Sequence, residues 1–192
     1  MRLRRAVGVK YFRVTEKQAF LQAVQAEGNI RDRVMINLFL ATGLRVSELS
    51  GLTIGQVSGR TVITVTGKGN KSREIPLLPA IQAELAGFIA WKQDHRESVH
   101  PYAPLFCAGQ SGKRLSTRAI QHRVKHYCAR ANLGRTLSPH AFRHTVGYTL
   151  GKAGEPIQVI QTLLGHSNLN TTRIYVEPDI EQIQASMVRA LG

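Results

Sequence analysis

Four short stretches of the chain carry side chains suited to chemistry on a phosphate. In "SPHAFRHT", Ser138 is a natural N-cap and Pro139 a natural first helical residue, so His140 falls in the first turn with Arg143 three residues on. Free N–H groups, the positive helix end and a guanidinium would converge there, which makes an oxyanion or phosphate site. His140 and His144 also have the i, i+4 spacing of zinc-binding helices. Ala141 stands where the metalloprotease pattern needs a glutamate, however, and no third ligand is evident, so no metal is expected. Two histidines satisfied by backbone carbonyls are the plain alternative.

In "ATGLRVSEL", Arg45 comes just after a glycine break in an apolar run, where it is drawn partly inward and Glu48 can orient it. An Arg–Glu pair that only packs fits the same residues. "TGKGNKSR" sets Lys68 between glycines at a turn, one way to bring an ammonium group to a phosphate, although turn lysines are commonly just solvated. In "LLGHSNLNTTRIYVEP", Gly165 ends a helix, His166 follows, and Tyr175 arrives after a polar run. The segment carrying that tyrosine can move independently of the core. A phenol with an ordinary pKa near ~10 needs cations or a base beside it to attack phosphorus at neutral pH. His140, His166, Arg45 and Arg143 are candidates to supply both.

The elements that must hold these groups follow from periodicity and punctuation. Residues 1–14 read as a basic arm. "TEKQAFLQAVQAEG" is a helix with a capping-box spacing, Thr15 with Gln18, that stops at Gly28. "RDRVMINLFLATGL" is apolar enough for a central core helix broken at Gly43, followed by a short helix with Arg45 and Glu48. "TVITV" and "REIPLL" are strand-like runs joined by the Lys68 turn, the pattern of a hairpin. Helical patterns resume in "PAIQAELAGFIAWKQD" and, from a Ser116 cap, in "STRAIQHRVKHYCARAN". "EPIQVIQTLLG" has a proline inside its start and a glycine past its end, and residues 179–191 read as a last amphipathic helix. The fold class expected is α+β, mostly helical, with a small antiparallel β-element.

At 192 residues the chain can bury one sizeable core. Its longest apolar run is too short for a bilayer and no signal-like segment opens it, so a cytoplasmic, DNA-associated protein without membrane contact is expected. Cys107 and Cys128 stand far apart with no CxxC spacing, against both a zinc knuckle and a disulfide framework. With 26 Lys and Arg against 12 Asp and Glu, the formal net charge of +14 favours a polyanionic partner. No acidic residue occurs between Glu97 and Glu155, and the opening "MRLRRAVGVKYFR" is basic as well. The positive charge is interleaved with polar residues and histidines and lacks the aromatic face of a membrane-surface helix. Double-stranded DNA is the expected partner. Arg2, Arg4 and Arg5 of the arm, Lys71 of the turn, and Arg118, Arg123 and Lys125 of one helix are its candidate contacts.

Taken together, "ATGLRVSEL", "TGKGNKSREIPL", "PHAFRHT" and "LLGHSNLNTTRIY", in this order and spacing, resemble the catalytic domain of the tyrosine recombinases, the integrase and Xer-like family. The resemblance covers roughly residues 15–178, leaving 179–192 as a C-terminal helix able to dock on a neighbouring protomer. It implies that Arg45 and Arg143 clamp a scissile phosphate, that Lys68 protonates the leaving oxygen, and that His140 and His166 assist proton transfer. Tyr175 is then the nucleophile, Glu48 supports the first arginine, and no cofactor takes part. The implied activity is site-specific DNA cleavage and rejoining through a 3′-phosphotyrosine, by a homotetramer on paired sites, with or without accessory DNA-binding proteins. Relaxation of DNA in the manner of type IB topoisomerases, and a non-catalytic regulator with the same fold, are the alternatives. Larger family members carry a separate helical DNA-binding domain before the catalytic one, to which nothing here corresponds; a catalytic-domain-only enzyme and a fragment both fit. Val146 and Gly147 stand where the family often has an aromatic and an alanine, a departure expected to alter packing more than chemistry.

Overall fold

The computed structural model describes residues 11–67, 72–165 and 184. Helix α1 (Val14–Glu27) starts one residue earlier than the sequence suggests. The carboxylate of Glu16, not the Thr15–Gln18 pair, closes its first turn by accepting the Arg13 N–H at 2.8 Å. Helix α2 (Ile30–Thr42) is capped by Asn29, whose side chain accepts the Asp32 N–H, and ends at Gly43. Its Val34, Met35, Ile36, Leu38 and Phe39 are all buried, so it is covered on nearly every side, as expected of a helix apolar around most of its circumference. Two short helices follow, α3 (Val46–Gly51) and α4 (Ile54–Val57).

The predicted hairpin is formed by β1 (Val62–Thr66) and β2 (Ser72–Pro76), antiparallel, in a register running from Val62 opposite Pro76 to Thr66 opposite Ser72. Ile63, Val65 and Ile75 face the core, the period of two that a half-covered ribbon requires. Helix α5 (Pro79–Asp94) returns across α2, and α6 (Thr117–Arg130) begins at Ser116, whose hydroxyl accepts the Ala119 N–H. Last come α7 (Pro139–Lys152) and α8 (Ile157–Leu164). The main core is built on aromatic rings. Phe142 of α7 stacks on Phe39 of α2 with centroids 5.2 Å apart and also meets Phe12 and Phe20. A smaller apolar cluster of Val146, Ile160 and Leu164 fixes α8 on α7.

Three details bear on the sequence reading. Tyr11 and Phe12, assigned to the basic arm, are fastened to α7: Phe12 is buried and its N–H bonds Thr145 Oγ1 at 2.9 Å, while Tyr11 stacks on Tyr148. Both cysteines are buried free thiols. The ammonium of Lys92, fully buried on α5, bonds Glu97 at 2.7 Å and the Cys107 sulfur at 2.9 Å, so that burying it leaves no naked charge.

Candidate active site

Four segments distant in sequence meet at the last turn of α8. A helix end leaves its final carbonyls without intrahelical partners. Here three consecutive ones are taken by three guanidinium groups from three different elements. Arg73 on β2 donates through Nε to the Leu163 oxygen at 2.8 Å, Arg143 on α7 donates through Nη2 to the Leu164 oxygen, and Arg45 donates through Nη2 to the Gly165 oxygen at 2.9 Å. Arg143 also reaches the other helix end at this point, with Nη1 2.9 Å from the Gly43 oxygen.

Both helix ends are shaped for this approach. Gly43 and Gly165 close α2 and α8 with φ of 63° and 60°, the left-handed conformation that glycine adopts without a Cβ penalty. Space is also limiting. A Cβ on Gly43 would lie 2.6 Å from Leu164 Cδ2, and one on Gly165 would lie 2.9 Å from Arg73 Cδ. The glycines read from sequence as helix stops are therefore also points of close contact between α2, α8 and β2.

Glu48 organises the positive charge. Its side chain is 3% exposed and accepts four bonds: Oε1 from Arg45 Nη1 and Arg73 Nη1, both at 2.7 Å, and Oε2 from the Arg45 N–H at 2.7 Å and Arg73 Nη2 at 2.9 Å. Burial by itself would favour the neutral acid, but the Arg73 guanidinium, the Arg45 N–H and the Arg45 guanidinium together hold its pKa down to about 2. The carboxylate is thus ionised throughout the neutral range. Arg45 retains 31% side-chain exposure, and a guanidinium has five N–H donors, so it can meet a ligand while keeping these bonds.

The sequence-predicted residues divide into distinct groups. Arg45 and Arg143 come together on adjacent carbonyls, Gly165 and Leu164. His140 is exposed in the first turn of α7 and His144 is half-buried. Arg143, one turn further along α7, is buried, and its guanidinium donates to carbonyls at the ends of α2 and α8. Lys68, Lys71, His166, Tyr175, Arg2, Arg4 and Arg5 lie outside the described residues, as does the expected helix over 179–191. On α6, Arg118 and Lys125 are exposed together with His122, one helical stripe. Arg123 departs from that set. Its guanidinium lies 3.6 Å from the buried Asp32 and 3.9 Å from Glu27, because those carboxylates need a cation more than the solvent does. His126 likewise turns to Glu27 at 2.7 Å.

Arg73 is the residue that sequence reasoning passed over. One signal was present: in β2 it shares the inward parity of Ile75, an unusual place for an arginine unless a buried carboxylate awaits it.

Comparisons with known proteins agree with this architecture. A sequence profile described as the phage integrase family matches residues 10–182. Tyrosine recombinase XerC of Neisseria gonorrhoeae is 37% identical over 155 residues, covering 80% of this chain and 49% of that protein. The protein of the same name from Caldanaerobacter subterraneus is 35% identical over 179 residues, 92% of this chain and 50% of that protein. The chain thus spans about half the length of these relatives. Among solved structures, that of XerA recombinase superposes with a TM-score of 0.75 at 24% identity, covering 95% of this chain and 65% of the other. The Tn1549 transposon integrase in complex with transposon right end DNA does so with a TM-score of 0.77 at 24% identity, covering 95% and 66%. These two share the fold, and with the family profile running over most of its length, the chain belongs to the phage integrase family.

Proposed function

We propose that this chain cuts and rejoins double-stranded DNA at specific sites through a covalent 3′-phosphotyrosine at Tyr175. The observation that carries the reading is the meeting of Arg45 and Arg143 on the Gly165 and Leu164 carbonyls, at the residue immediately before His166. Two guanidinium groups held at that point can neutralise the charge that spreads over the non-bridging oxygens of a phosphodiester under attack, without a metal ion. The Tyr175 oxygen attacks phosphorus and its proton passes to a histidine of the pair His140 and His166. The bond to the 5′-oxygen breaks, and Lys68 supplies the proton that this oxygen takes up. Rejoining is the reverse, with a 5′-hydroxyl attacking the phosphotyrosine, so the bond energy is retained and no nucleotide is consumed. Exposed Arg118 and Lys125 on α6, with the basic residues of the arm and the Lys71 turn, hold the duplex through its phosphates. The active assembly is a homotetramer on two paired sites.

The test starts from DNA sites selected for binding out of random sequence, two copies of which are placed on one plasmid. Exchange between them, visible as inversion or excision according to their orientation, is the result expected. Relaxation of a plasmid with no such site, at the same rate and without exchange, would contradict site-specific recombination and point to topoisomerase-like action.

A further inference from the structure

A third guanidinium stands at the α8 end beside the two arginines that the cleavage reading assigns to the phosphate. It is Arg73, which spends its whole fork on protein groups: Nη1 and Nη2 on the two oxygens of Glu48 at 2.7 and 2.9 Å, and Nε on the Leu163 carbonyl at 2.8 Å. A phosphate would have to displace a buried carboxylate to reach it. We infer that Arg73 is a positioning residue for DNA cleavage, acting through Glu48 on Arg45 and through Leu163 on the chain that leads to His166 and Tyr175. This rests on the cleavage reading above.

The geometry supplies both arms of that action. Glu48 Oε1 is shared between Arg73 and Arg45, so the placement of the Arg45 guanidinium depends on a carboxylate that Arg73 grips in bidentate fashion. At the other arm, α8 has only eight residues, of which Ile160 and Leu164 are buried. So short a helix has little intrinsic stability, and its last turn is held by what bonds its carbonyls. Arg73 Cδ also fills the space beside Gly165. The residue belongs to β2 and stands five residues after Lys68 in the sequence. One guanidinium therefore ties the strand after the proposed acid to the helix before the proposed nucleophile. Lysine could not replace it: a single ammonium has no planar fork to span a carboxylate and a carbonyl together.

The test uses the full chain carrying Arg73→Lys, and separately Arg73→Gln in case one variant fails to fold, with thermal melts confirming the native state below the assay temperature. Single-turnover formation of covalent adduct on a nicked duplex should fall roughly 10- to 100-fold, the penalty of a misplaced reacting group, while affinity for the same duplex stays within about twofold. Hydrogen exchange across α8 in the DNA-free variants should be faster than in the parent protein. Adduct formation at the parental rate by a folded variant overturns the inference, and so does a loss explained entirely by weaker DNA binding, which would make Arg73 a direct contact. If the parent chain forms no adduct at all, the cleavage reading fails, and the exchange measurement still decides whether Arg73 holds α8: unchanged exchange overturns that part as well.

Discussion

A guanidinium, an ammonium and a phenol do different work at a phosphate, and each can be removed separately. If Lys68 gives its proton to the leaving 5′-oxygen, Lys68→Met should slow adduct formation by roughly 100-fold or more, within the usual contribution of a positioned acid. A substrate with sulfur in place of that bridging oxygen leaves as a thiolate that needs no proton, and it should bring the variant close to the parental rate. Equal impairment on both substrates would remove Lys68 from the role. Glu48 makes a second prediction, about stability. Its pKa in the fold, about 2, lies below the ordinary 4.5 of an unfolded chain, so its contribution is complete above about 4.5 and is lost as pH falls towards 2. In urea titrations from pH 6 to pH 3, the parent should lose stability more steeply than Glu48→Gln. Parallel curves would show that the four bonds to this carboxylate do not favour its charged form.

At the scale of elements, the site is the place where the ends of α2 and α8 meet the start of α3 and arginines from β2 and α7, and two glycines permit that approach. Gly43→Ala puts a Cβ 2.6 Å from Leu164 Cδ2 in a left-handed backbone. The conformation alone costs about 1–2 kcal/mol. The clash should add to that and shift the α8 end, so denaturant titration should show a larger loss than Gly28→Ala, which has the same backbone sign but, among the described residues, nothing within 4 Å of the added carbon. A similar loss in both would mean that the contact is not tight. Much of this level was legible in the sequence. Glycine and proline punctuation placed the helix ends, strand-like runs on either side of a Gly-rich stretch placed the hairpin, and the apolar density of α2 marked it as central. What escaped was non-local. Arg73 looks like an ordinary strand arginine until a helix some ninety residues later lays one of its last carbonyls against it. Arg123 looks like part of a basic helix face until α1 and α2 present Glu27 and Asp32 to it. Arg143 was found as a phosphate candidate from its place three residues after His140, but the carbonyls it bonds at the ends of α2 and α8 are encoded in no local pattern.

At the scale of the whole molecule, a net charge of +14 draws a polyanion, and the exposed cations determine where it sits. Arg118→Gln and Lys125→Gln should each weaken binding across all duplex sequences and lower the slope of log affinity against log salt by about 1, as for a lost phosphate contact. Arg123→Gln should lower that slope less, because its charge is already opposed by two carboxylates. An Arg123 effect equal to the other two would mean that DNA draws it away from Asp32. These distributed contacts matter only if they deliver a phosphate to the point where Arg45 and Arg143 meet and a tyrosine can reach it. The most direct measurement of that is covalent trapping on a nicked duplex by the parent chain and by Tyr175→Phe. The parent should give a protein–DNA adduct that survives denaturation, joined through the 3′-phosphate to the peptide containing Tyr175, and the variant should bind the same duplex and give none. An adduct formed by Tyr175→Phe would contradict the account.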